Sequence, residues 1–239
     1  MRQVLTLAGR ELRGYFDSPV AYIVATVFLG WSGWMFFTQA LLSEQANMRP
    51  FFAPSPLSPS MLLVILVPAL TMRLIAEEKR TGTIELLTTL PIRDSQVITG
   101  KFLGAFAMLA IVLSLTLVFA VTLDLFGDLD WGPVLAGYLG LLLFGAALTA
   151  LGLLCSTLTR NQVIAFIVAF LVCAALYFVY WLRGWLFPAA EGVLEYLSVS
   201  FHLDNLARGV IDTRDVVYYL TLAGGALFLA VRSLERQHN

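Results

Sequence analysis

Residues 100–123 read GKFLGAFAMLAIVLSLTLVFAVTL, and apart from Lys101 nothing in this run carries a charge. A helix that crosses the hydrocarbon core of a bilayer needs about 20 mostly apolar residues, and this run supplies them. Five more follow the same rule: 19–42, 57–76, 133–154, 163–182 and 216–231. The run 57–76 is broken by Pro68 and closes on Thr71-Met72-Arg73. The run 216–231, held between Asp215 and Arg232, is short, so it is expected to thin the bilayer or let its flanking charges snorkel. The run 19–42 is too long for a cleavable signal, and no small-residue cleavage site follows it.

Composition agrees with this count. The chain is 59% hydrophobic and 13% charged, with a mean hydropathy of +0.83. Soluble domains carry about 25% charge, and no water-soluble fold could hide this much apolar surface. The expected class is an all-α polytopic membrane protein with six transmembrane helices, forming a single domain over 1–239. A net charge of -1 excludes a basic nucleic-acid binder. Two cysteines, Cys155 and Cys173, lie inside apolar runs and read as small buried hydrophobes. With His202 and His238 the only histidines, a multi-histidine metal site is excluded.

Orientation follows from basic residues, which collect on the cytoplasmic side. With the N-terminus inside, eleven fall inside (Arg2, Arg10, Arg13, Arg73, Lys79, Arg80, Arg93, Lys101, Arg160, Arg232 and Arg236) and four outside (Arg49, Arg183, Arg208 and Arg214). Six spans with both termini cytoplasmic is the consistent topology. Asp124, Asp128 and Asp130 then share one outer loop.

Three segments outside the spans carry further information. In 1–17, Gln3, Thr6, Arg10, Arg13 and Asp17 form one stripe at helical spacing, and Val4, Leu5, Ala8, Leu12, Tyr15 and Phe16 fill the opposite side. That pattern predicts an amphipathic helix lying in the membrane interface; the alternative is a flank continuous with the first span. Asp17-Ser18-Pro19 stops it, because a residue before proline avoids the helical region. The loop 43–60 holds Pro50, Pro54, Pro56 and Pro59, a density that precludes a regular helix. Between the last two spans, Val193, Leu194, Leu197 and Phe201 form one apolar stripe and Leu203, Leu206 and Val210 another. Two short amphipathic helices dipping into the outer leaflet would bury both stripes and keep Glu191, Glu195, Asp204 and Arg208 wet; the alternative is a surface loop.

The densest polar cluster is the connector from Ala76 to Lys101. Gly82 breaks the chain, Thr83 can cap the next free amides, and Glu85 sits in a first turn, where the helix dipole favours an acid. Ile84, Leu87 and Leu90 share one face, and Pro91 ends the helix. A helix this short is unstable alone in water. Its apolar stripe therefore argues either for a docking partner that takes it into a groove or for packing on the inner helix ends of its own chain. Gly100-x-x-x-Gly104 and Ala146-x-x-x-Ala150 let helix backbones approach closely, within one subunit or across a dimer seam. There is no phosphate-binding Gly-x-x-x-x-Gly-Lys-Ser/Thr loop, no His-Glu-x-x-His, no Gly-x-Ser-x-Gly and no nucleophile with its base. The chain is not an enzyme on this reading, with no catalytic residue, cofactor or metal assigned.

Pro68-Ala69-Leu70-Thr71-Met72-Arg73, Glu77-Glu78-Lys79-Arg80-Thr81-Gly82-Thr83-Ile84-Glu85-Leu86-Leu87, Pro91 and Gly100-Lys101-Phe102 together resemble the membrane subunit of type-2 ABC exporters. Arg10-Glu11-Leu12-Arg13, Phe16-Asp17-Ser18-Pro19-Val20-Ala21-Tyr22-Ile23 and Phe201-His202-Leu203-Asp204-Asn205-Leu206-Ala207-Arg208-Gly209-Val210-Ile211-Asp212 resemble the gliding-motility-associated branch of such permeases. The resemblance spans nearly the whole chain.

It implies a permease of the bacterial inner (plasma) membrane. The expected parts are an elbow helix over 1–17 carrying Arg10 and Arg13, a coupling loop over 77–99 with its coupling helix from Thr83 to Leu90, and a re-entrant outer segment over 184–214 carrying His202, Asp204 and Arg208. Glu77, Glu78, Lys79 and Arg80 would flank the groove of the ATPase. The implied partners are two copies of a separate ABC ATPase subunit, a second permease copy as homodimer or heterodimer, a large periplasmic accessory subunit in some assemblies, and the lipid bilayer. ATP hydrolysis would then drive substrate movement through the permease pair. A second reading is a membrane scaffold that passes ATPase movement to an extracytoplasmic assembly without a transported substrate.

Overall fold

The computed structural model describes residues 2–41, 47–83, 93–184 and 191–238. Among these the regular secondary structure is all helical, with no strand. In order the helices are α1 (Arg2–Phe16), α2 (Pro19–Phe36, extended by a π-helical turn Phe37–Leu41), α3 (Arg49–Phe52), α4 (Pro59–Thr71), α5 (Ala76–Thr81), α6 (Asp94–Leu115), α7 (Leu117–Phe126), α8 (Trp131–Leu158), α9 (Gln162–Phe178, then a 3-10 turn Val179–Gly184), α10 (Glu191–Leu197), α11 (Val199–Ala207) and α12 (Thr213–His238). Among the described residues, six stretches are long and apolar enough to cross a membrane: Pro19–Gln39, Pro59–Thr81, Asp94–Phe126, Trp131–Leu158, Gln162–Trp181 and Thr213–Arg236.

The starts of these helices are written locally. Ser18 accepts from the Val20 amide with Pro19 in the first turn, Ser58 from Met61, Asp130 from Gly132 and Asn161 from Val163. Each short polar side chain answers an amide the helix leaves free, and proline is tolerated where no amide is needed.

Two expectations change, and one helix proves longer than its apolar run. Pro68 does not break its span: α4 runs through it and ends after Thr71, four residues before α5 begins. Proline costs a membrane helix one backbone hydrogen bond and is tolerated inside such helices. The last helix is longer than its apolar run, because α12 continues from Thr213 to His238, about 39 Å at 1.5 Å per residue; the apolar length, which sets the match to the bilayer, stays that of 216–231. The charges at both ends simply extend the helix beyond the apolar run. The proline-rich loop contains one helical turn, α3, started by Pro50 and anchored by buried Phe51 and Phe52.

α8 is the hub, touching α3, α4, α5, α6, α9, α11 and α12. It carries no wide polar face, as a helix surrounded by protein must. Neighbours reach its backbone at its glycines. Phe52 of α3, Leu206 of α11, Leu109 of α6 and Thr71 of α4 occupy the space that a Cβ on Gly137, Gly140, Gly145 and Gly152 would need. α12 lies along it with Ala223, Ala226 and Ala230 buried.

α1 packs along the start of α6. A Cβ on Gly100 would stand 2.8 Å from Leu7 Cδ2, and one on Gly104 2.6 Å from Glu11 Cβ. The Gly100-x-x-x-Gly104 pair thus serves contact within the subunit. Gln3, Thr6, Arg10 and Arg13 are all exposed on α1, as is Asp17 just after it, while Leu5 and Phe16 remain open on another side. Gly104→Ile is expected to push α1 off α6 at a cost of about 1–3 kcal/mol, the usual range for overpacking. The readout is tryptic cleavage at Arg10 and Arg13, which should accelerate about tenfold while the spans stay inserted; an unchanged rate would mean that the contact does not hold α1.

Candidate functional site

The chain leaves α4 at Thr71 and re-enters a helix at Ala76, and the turn between them exposes backbone groups inside the bundle. One side chain satisfies three of these groups. The Ser156 hydroxyl of α8 donates to the Met72 carbonyl (3.0 Å) and accepts from the amides of Ile75 (3.1 Å) and Ala76 (3.0 Å). From the other side, the Tyr15 hydroxyl of α1 donates to the Leu70 carbonyl at 2.8 Å. Buried backbone groups must find partners, and here the partners come from two other helices. The turn is therefore tied to both α1 and α8.

α5 then carries the sequence cluster expected around the ATPase groove. Glu78 turns inward: its Oε1 accepts from Lys101 Nζ at 2.7 Å. Lys101 also donates to Glu11 Oε1 at 2.9 Å and is 1% exposed. One ammonium thus joins α1, α5 and α6. An ionised lysine can be this deeply buried because two carboxylates answer it. The Glu78 Oε2 atom is buried with no hydrogen-bond partner. Lys79 donates to the Thr157 carbonyl at the end of α8. Arg73 bonds Ser18 Oγ at 3.0 Å and lies 3.7 Å from Glu77. Arg80 is exposed.

Gly82 closes α5 with φ +72, the left-handed region that glycine enters without strain. Thr83 is exposed, bonding Thr81 at 2.9 Å. Ile84, Glu85, Leu86, Leu87, Leu90 and Pro91, expected to form the coupling helix, lie outside the described residues. A cavity of about 530 Å³ opens where the chain leaves α5. Arg10, Arg73 and Lys101 face it with Glu11, Glu77 and Glu78. Arg13 stands on the exposed side of α1 beside a second groove.

At the opposite end of the bundle, Leu203 and Leu206 of α11 are fully buried, whereas Val193, Leu197 and Val210 are exposed. His202 is buried against Asp215 at 2.6 Å. Asp204 pairs with Arg208 along α11.

Sequence reasoning passed over Lys101, Glu11, Tyr15 and Ser156 as site residues. A signal existed for Lys101: a lone cation inside an apolar run demands a partner. Nothing in the sequence named Glu11 and Glu78 as that partner, because the pairing spans three helices.

Lys101→Met should leave two carboxylates facing each other with no cation and cost about 3–5 kcal/mol. Thermal unfolding of the purified protein reads this as a lowered Tm. Adding Glu11→Gln and Glu78→Gln to Lys101→Met should recover most of the loss. An equal loss in single and triple variants would assign the cost to packing and not to charge.

Residues 18–196, from the cap of α2 to α10, match the model of a known family, described as ABC-2 family transporter protein. Against curated proteins the chain finds no match. The matched region takes in five of the six membrane-length helices and the whole α4–α5 turn. The chain belongs to the ABC-2 family of transporter proteins, and is a multi-pass permease subunit of an ABC transporter.

Proposed function

We propose that this permease is half of the membrane part of an ABC exporter in the bacterial inner membrane, of the gliding-motility-associated branch, and that it works with two copies of a separate ATPase subunit. The second half is another permease, identical or related. The N- and C-termini face the cytoplasm, on the balance of eleven basic residues against four. That places α1, α5 and the loop after it on the ATPase side, and α10 and α11 outside as the re-entrant segment.

The observation that carries the reading is the mounting of α5. A short polar helix would fray if left alone in water. This one is tied to α1 and α6 through Lys101 and to α8 through Ser156 and Lys79. A push on the loop that follows Gly82 is therefore delivered to three helices at once. In this reading Thr83 to Leu90 form the coupling helix and dock Ile84, Leu87 and Leu90 into the ATPase groove. The ATPase performs work through its unequal affinity for two permease conformations.

Leu87→Asp tests this. A desolvated, unpaired carboxylate in the groove costs several kcal/mol, and about 1.4 kcal/mol is a factor of ten. Binding to the ATPase should weaken by about a hundredfold or more, with the permease still folded and inserted. Glu85→Ala should be milder. Retention of the ATPase and of ATP-driven activity by the Leu87→Asp protein would mean that the helix packs on its own subunit. A reporter fused after Arg236 should be cytoplasmic and one within 43–60 outside; the reverse would overturn the orientation.

A further inference from the structure

The exporter reading makes no use of the buried pair His202 and Asp215. His202 lies on α11 and is 3% exposed; Asp215 lies in the first turn of α12 and is 2% exposed. His202 Nδ1 is 2.6 Å from Asp215 Oδ1, and Nε2 is 3.1 Å from the Tyr196 carbonyl of α10. Both ring nitrogens therefore face oxygen acceptors. A neutral imidazole has one N–H and cannot donate to both. The arrangement is satisfied when the pair holds one extra proton, either as imidazolium with carboxylate or as neutral imidazole with a protonated carboxyl that donates to Nδ1. In both forms Nε2 donates to Tyr196.

We propose that the His202–Asp215 pair is a proton-binding site whose occupancy fastens α10 to α11 and α12. When the proton leaves, a single N–H remains, and the buried carboxylate, the stronger acceptor, keeps it. The Nε2 lone pair then faces the Tyr196 carbonyl oxygen, and this tie to α10 is lost. The fastening is lost as pH rises and restored as it falls.

The surroundings leave the pair to govern this contact. On α12, Tyr218 stacks on the His202 ring at 3.9 Å and donates to the Leu197 carbonyl at 2.7 Å, and Tyr219 donates to the Val199 carbonyl at 2.6 Å. On α10, the Tyr196 ring meets His202 edge-on at 5.9 Å. On α11, Asn205 bonds Asp215 Oδ1 at 3.4 Å, and Asp204 is taken up by Arg208. Among the described residues, the second carboxylate oxygen of Asp215 is buried with no hydrogen-bond partner. Tyr218 and Tyr219 keep the α10–α11 junction in place, so deprotonation loosens α10 without unseating α11.

Amide hydrogen exchange of residues 192–198 in the full-length protein tests the site. It is measured in detergent, where both ends of the bundle meet one buffer and the outcome does not depend on the proposed orientation. Parent and variant are compared at one pH, where the intrinsic exchange of the shared peptide cancels. In Asp215→Asn the amide donates to neutral Nδ1, leaving Nε2–H for Tyr196, so the contact no longer needs the extra proton. At about pH 6 parent and Asp215→Asn should exchange alike. At about pH 8.5 the parent should exchange about fivefold faster, the size of one lost hydrogen bond. His202→Gln, which cannot titrate, should lose the pH dependence of this ratio. Equal exchange of parent and Asp215→Asn at both pH values, or pH dependence that persists in His202→Gln, would overturn the proposal.

Discussion

Lys101 is almost fully buried, and an ammonium there has to be answered by protein charge. Removing one from water without compensation costs far more than a single hydrogen bond returns. Glu11 and Glu78 provide the answer at 2.9 and 2.7 Å, and this arrangement constrains three helices together. α1 can lie close enough only because Gly100 and Gly104 have no side chains. α5 can present Glu78 only because the chain turns out of α4 at Thr71 and restarts at Ala76. That turn is in turn held by Ser156 and Tyr15. The start of α6, α1 and α5 therefore form one mechanical unit.

The rest of the bundle is organised around α8. Its glycines admit a phenylalanine, two leucines and a threonine from four different elements, so the helices approach more closely than side chains would allow. In a bilayer, where lipid is as apolar as leucine, close van der Waals packing and satisfied polar groups hold helices together. The hydroxyl contacts follow the same logic. Thr116 bonds Tyr138 at 3.0 Å, and Tyr177 bonds Ser58 and Ser60 at 3.3 and 3.2 Å. The two ends of the molecule are built differently. One gathers ion pairs around α5, and the other fastens two short helices to α12 through tyrosine hydroxyls and a buried histidine–aspartate pair.

The sequence by itself determined the all-α class, the six spans, the break at Gly82 and the short helices before the last span. Apolar run length, caps and glycine are local properties, and the bilayer enforces them residue by residue. It misjudged Pro68, because a helix buried among others tolerates a proline, and it left open how far α12 runs, because charges can prolong a helix beyond the apolar core. Tertiary structure alone decided that Glu78 and Lys79 turn toward their own chain, that Lys101 joins Glu11 to Glu78, and that His202 meets Asp215. Those pairs lie on different helices, and only packing sets which side of each helix meets the next. A charge in a sequence announces that a partner is required; the geometry of the bundle chooses the partner.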